Sequence, residues 1–110
     1  MVGFTGIDEV YLYQALVDMR KGARSLGSIV CELMPPERRR NAAFLFFGKS
    51  RSMMKAVVFD ERGRWVLERR LEGCVFTLPE SGSESLLGRP GTLQAIVEAL
   101  TSEAPGKRSR

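Results

Sequence analysis

The sequence has no histidine among its 110 residues. Ser-His-Asp and Cys-His catalysis, imidazole general-base chemistry and His-ligated zinc are thereby excluded. Cysteine is almost as scarce: Cys31 and Cys74 are far apart and form no CxxC pair, so we expect two reduced, buried thiols in a cytoplasmic protein. No apolar run approaches the roughly 20 residues that a membrane span requires. The start, Met1-Val2-Gly3-Phe4, has neither the basic nor the long apolar segment of a secretory signal. Asp8, Asp18 and Asp60 are scattered over separate predicted elements, with nothing to converge them into a metal-dependent nuclease site. Together these absences point to a protein that is not an enzyme and carries neither metal nor cofactor.

With 44% hydrophobic and 27% charged residues, the chain is long enough for one domain with one modest core. Its formal charge of +4 hides an asymmetry. Between Arg20 and Arg70 there are 13 Lys and Arg against 5 Asp and Glu, a local +8, while the remainder is acidic. A basic middle between acidic ends is the footprint of a polyanion-binding face. A solvated basic surface without a partner would carry the same charge.

Periodicity gives the elements. Val10-Tyr11-Leu12-Tyr13-Gln14 is aromatic and β-branched and predicts a first strand. Asp18 can then cap a helix whose stripe is Met19, Ala23, Leu26, Val30 and Leu33, ended by Pro35-Pro36. Gly22 and Gly27 cost such a helix about 1 kcal/mol each relative to Ala, which suggests the close approach of another backbone or a ligand. After a charged connector, Glu37 to Asn41, the run Ala43 to Phe47 predicts a central strand. Met53 to Phe59 returns, and Asp60-Glu61-Arg62-Gly63 suits a type I turn into an alternating strand from Arg64 to Leu71. Cys74 to Leu78 gives a last short strand. The expected architecture is α+β: an antiparallel sheet of about four strands packed against one long helix, plus a short C-terminal helix. We expect residues 1–79 to form this domain. Residues 80–110 read as a flexible Ser/Gly-rich linker, a short helix capped by Thr92 with the stripe Leu93, Ile96, Val97 and Leu100, and a basic tail. That helix is either dispensable for folding or a docking element for another chain.

The candidate binding residues are cations. Arg20, Lys21 and Arg24 would occupy the first two turns of the predicted helix, where the macrodipole disfavours positive charge. Such a site is a natural phosphate seat, and the competing structural reading pairs Asp18 with Arg20 or Arg24. Lys49, Arg51 and Lys55 sit on or beside a polar hairpin tip able to grip phosphates. Arg69 and Arg70 follow, pointing to opposite faces of a strand, with one expected to pair with Asp60 or Glu72. Trp65, Phe44, Phe46 and Phe76 are most simply read as core, with exposed stacking platforms for single-stranded nucleic acid as the alternative.

Several of these residues stand in a recognisable order. The block Val17-Asp18-Met19-Arg20-Lys21-Gly22 is followed by Met34-Pro35-Pro36 and three arginines. Lys55, Asp60, Gly63, Arg69-Arg70-Leu71-Glu72, Phe76 and Pro79 then recur at fixed offsets. Over residues 8–79 this pattern resembles the TnpB-type accessory protein, the second reading frame, of the insertion-sequence sixty-six family of bacterial transposable elements. The resemblance makes Asp18, Gly22, Asp60, Gly63, Leu71, Glu72, Phe76 and Pro79 the family's structural signature. It implies transposition beside a separate, larger transposase that cuts DNA. Joined to the basic middle of the chain, it leads us to expect non-catalytic assistance through weak, non-specific DNA binding, binding to the element's own transposase, or both. A docking module that never touches DNA is the alternative. Phe47, Ser50, Ser52 and Met53 depart from the family's more basic hairpin tip. The sequence assigns no membrane partner and no oligomeric state.

Overall fold

The computed structural model describes residues 7–78 and 82–103. The chain runs β1 (Glu9–Tyr13), α1 (Ala23–Leu33), α2 (Pro36–Arg39), β2 (Ala42–Phe47), β3 (Met53–Phe59), β4 (Arg64–Arg70), β5 (Cys74–Phe76), β6 (Leu86–Arg89), α3 (Leu93–Leu100) and β7 (Thr101–Glu103). Its most apolar stretch, Ala42–Phe47, is buried at every residue. A strand apolar on both faces must lie inside a sheet that is covered on both sides. β2 does so: it is the middle strand of a five-stranded sheet of order β4-β3-β2-β1-β6.

Alternation along the strands divides the core in two. Tyr11, Tyr13, Ala42, Phe44, Phe46 and Val57 face α1 and meet Leu26, Val30 and Met34. Val10, Leu12, Ala43, Leu45 and Phe47 face the other way and meet Phe76, Ile96, Val97 and Leu100. Stacked rings reinforce the first layer (Tyr11 on Phe44, centroids 5.4 Å apart), and an edge contact of 5.3 Å between Phe47 and Phe76 reinforces the second.

The expected α+β class holds, with corrections of detail. β1 pairs with β2 in parallel, not antiparallel. The segment between them, containing α1 and α2, is long enough for a crossover, which a hairpin-based reading does not consider. The main sheet has five strands, and β5 leaves it to pair with β7 in a separate two-stranded sheet. α1 is 11 residues long and starts at Ala23, with Gly22 as its N-cap. Leu33 is 41% exposed, and Met34, just past the helix, is buried instead.

The largest correction concerns the segment read as a flexible linker and a loosely attached helix. Leu86–Arg89 pairs antiparallel with β1, from Tyr13 opposite Leu86 to Val10 opposite Arg89. α3 then lays Ile96, Val97 and Leu100 on the core. Its cap is the expected one: Thr92 Oγ1 accepts a hydrogen bond from Ala95 N–H at 3.1 Å. Pro79, Glu80 and the basic tail lie outside the described residues, as does Met1-Val2-Gly3-Phe4. Cys31 is exposed and Cys74 half-buried, so neither thiol is in the core; both are free.

Candidate nucleic-acid interface

The chain between β1 and α1 does not start a helix at Asp18, for two local reasons. Val17 is still extended: its N–H donates to the Phe47 carbonyl at 2.9 Å, and it bridges Gly48 in parallel. Next, the Asp18 carboxylate is taken by Arg20, whose backbone N–H donates to Oδ1 at 2.9 Å and whose Nη2 donates to Oδ2 at 2.6 Å. This fork, with the backbone bond, holds the Asp18 carboxyl well below the usual carboxylate range. Lys21 N–H closes the turn on the Asp18 carbonyl at 3.0 Å. Arg20 and Lys21 therefore precede the helix, and Arg24 alone of the three lies in its first turn. The expected anion seat at a helix N-terminus gives way to the competing reading, an Asp18–Arg20 ion pair.

What the turn builds instead is one wall of a groove. Leu16, Asp18 and Met19 face Lys49, Met53 and Arg70 across an open volume of about 390 Å³. Met19 lies flat over the end of β2 because Gly48 has no side chain; a Cβ there would sit 2.5 Å from Met19 Cγ. Lys55 joins this wall to the sheet, its Nζ donating to the Lys21 carbonyl at 2.9 Å. Lys49 is exposed at the tip between β2 and β3, and Ser50 and Ser52 share a 2.8 Å hydroxyl contact beside it. Arg51 adopts the left-handed conformation, φ 61°, and its carbonyl accepts Phe76 N–H at 2.6 Å, which ties the tip to β5. Five cations (Arg20, Lys21, Lys49, Lys55 and Arg70) thus gather around this end of the sheet on its α1 face. Asp18 and Glu68 stand among them, and Glu32 and Glu84 line the adjoining hollow that holds Lys21; Glu68 stands opposite Lys55 and 3.9 Å from Arg70.

Arg69 is not among them. It points to the opposite face, as strand alternation requires, into an apolar groove of about 550 Å³ between β4 and α3, with Ile7, Leu67 and Leu93. The expected partner of an Arg69-Arg70 arginine was Asp60 or Glu72; the carboxylate near Arg70 is Glu68. Asp60 is used within its own hairpin. Its Oδ1 accepts Arg62 N–H at 2.9 Å and Gly63 N–H at 2.8 Å, and its Oδ2 accepts Trp65 Nε1–H at 2.9 Å. The two backbone bonds and the indole lower its pKa. Trp65 is consequently 44% exposed rather than core. Gly22 has open space where a Cβ would stand, as does Gly63. Leu71 packs on the α3-side core, Phe76 is fully buried, and Glu72 is exposed.

This geometry coincides with a family assignment. The family model described as "IS66 Orf2 like protein" matches residues 8–107. The chain belongs to the IS66 Orf2-like family. It is thus an insertion-sequence accessory protein of the TnpB type. No curated protein and no solved structure matches the chain. Among the described residues, no helix of this family member is long and apolar enough to cross a membrane.

Sequence reasoning missed the work of the other arginines of this IS66 Orf2-like chain. Arg38 donates to Tyr11 Oη at 2.9 Å, and Arg39 donates to the Met34 and Cys31 carbonyls at the end of α1 at 2.8 and 3.2 Å. Arg40 pairs with Glu61 at 3.9 Å. Arg64 lies 5.4 Å over the Phe59 ring and covers Gly27, which explains a glycine inside α1. That glycine was the one available signal.

Proposed function

We propose that this accessory protein assists transposition without catalysing it, by binding duplex DNA through the cations of the α1-face groove. The carrying observation is that Lys49 and Arg70, from the β2–β3 tip and from β4, line one open groove, while Lys55 on the same face of β3 reaches the Lys21 carbonyl in the turn that forms its other wall. Long cations on a shallow rim suit phosphates, which position a protein on DNA without reading sequence. Arg20 reaches the rim through Asp18. Arg69 takes no part in this face. The protein acts in the bacterial cytoplasm, beside a separate transposase that cuts the DNA.

Titration of labelled duplex at several salt concentrations tests this reading. Each neutralised phosphate contributes about −0.9 to the slope of log affinity against log salt, so two to five contacts give roughly −2 to −4.5. A slope near zero, or no binding at low salt, favours the second reading, docking to the transposase without DNA contact. The observation behind that alternative is the apolar groove beside Arg69, where Ile7, Leu67 and Leu93 are only partly buried.

A further inference from the structure

β4 is an outer strand of the five-stranded sheet, and its hydrogen-bond phase can be fixed. Asp60 N–H donates to the Gly63 carbonyl, and Leu71 N–H donates to the Ser52 carbonyl, at the two ends of the same β3–β4 register. Bonded pairs alternate along an antiparallel ladder, so Trp65, Leu67 and Arg69 turn their backbone groups towards β3. Arg64, Val66, Glu68 and Arg70 turn theirs outwards, where no strand pairs with them among the described residues. An edge this long invites another strand unless its charges repel one.

We propose that this edge pairs antiparallel with β4 of a second copy of the chain, about a twofold axis at Val66. In that register Arg64 faces Glu68 of the second copy, and Glu68 faces its Arg64, on either side of paired valines. Both charges already stand on the α1 face: Arg64 lies over Phe59, and Glu68 is beside Arg70. On the other face Trp65, 44% exposed, comes opposite Leu67, which is half-buried. Directly opposed charges and aromatic–aliphatic pairs both stabilise a ladder. The neighbouring registers do not. Centred on Leu67, Arg64 meets Arg70; centred on Glu68, that carboxylate meets itself. Centred on Trp65, only Arg64–Val66 of β4 overlap and Glu68 has no partner within the strand. The charges that would guard the edge against pairing therefore select one self-complementary register. The twofold stands perpendicular to the joined sheet, so both α1 faces lie on the same side.

The test is molar mass in solution by light scattering and sedimentation of the full chain. Wild type is expected at about 25 kDa, twice the 12.3 kDa of one chain. Glu68→Arg and Arg64→Glu, each alone, oppose like charges across the axis and should weaken the dimer by about tenfold or more. Mixed together, the two variants pair opposite charges again and should form a heterodimer, which a misfolded variant could not do. A wild-type chain that stays at 12.3 kDa at the highest soluble concentration overturns the proposal. So does a Glu68→Arg chain that dimerises as wild type does, or a mixture that does not associate.

Discussion

Leu100→Ala probes whether the C-terminal helix belongs to the core. Leu100 is 5% exposed and packs with Ile96, Val97 and Phe76 against the face of β2 that carries Leu45 and Phe47. Its carbonyl also accepts Thr77 N–H at 2.6 Å, so the residue joins α3 to the segment after β5. Removing a buried leucine side chain costs about 2–5 kcal/mol, transfer and cavity together. A domain of this kind has roughly 5–15 kcal/mol in all. With about 4–8 °C of Tm per kcal/mol in a small domain, a drop of roughly 8–40 °C is expected. Thermal melts by circular dichroism, with urea titrations beside them, measure it. Glu98→Ala, on the exposed face of the same helix, should shift the midpoint little and serves as the control. A chain ending at residue 85 should show no cooperative transition. Leu100→Ala melting within about 3 °C of wild type, or a cooperative transition in the truncated chain, would refute the packing argument.

Three further outcomes follow from the packing and the ion pair. Phe76→Ala removes the ring that joins the two sheets and should cost about 3–5 kcal/mol by urea denaturation. Gly27→Ala gains about 1 kcal/mol of helix propensity but pushes the exposed Arg64 side chain off Phe59, so its net effect on urea stability should stay within about 0.5 kcal/mol. For Asp18 the folded pKa is depressed, so its stabilisation is complete above the ordinary carboxylate range and is lost as pH falls through and below that range. Arg20→Ala should return the Asp18 carboxyl towards its usual titration by NMR while leaving Tm at neutral pH nearly unchanged, because the pair is exposed.

The sequence carried the central layer of the fold and lost its margins. Ala43 to Phe47 announced a central strand because every residue of the run is apolar, and β3, the Asp60–Gly63 hairpin and β4 followed from alternation and turn chemistry. Thr92 and its stripe announced α3. β6 was illegible: Leu86–Arg89 is four residues long, includes Gly88 and sits among serines and glycines, so its strand character comes from pairing with β1 rather than from propensity. The helix start failed differently. Asp18 is a good cap by type, but Val17 is held along β2 and Arg20 takes the carboxylate, and both are tertiary or next-neighbour effects outside any propensity scale. Among the site residues, the opposite orientations of Arg69 and Arg70 could be read from strand alternation. That Lys55 reaches the Lys21 carbonyl could not, since 34 residues separate them.

The most direct measurement is the salt-dependent affinity for one labelled duplex of two variants beside wild type. Lys49→Gln/Arg70→Gln removes two cations that line the α1-face groove, and Arg69→Gln removes one from the opposite face. The double variant should bind more weakly at low salt, with a slope smaller in magnitude by about 1.8, and Arg69→Gln should bind as wild type does. Equal losses in the two variants, or an unchanged slope in the double variant, would contradict DNA binding through this groove.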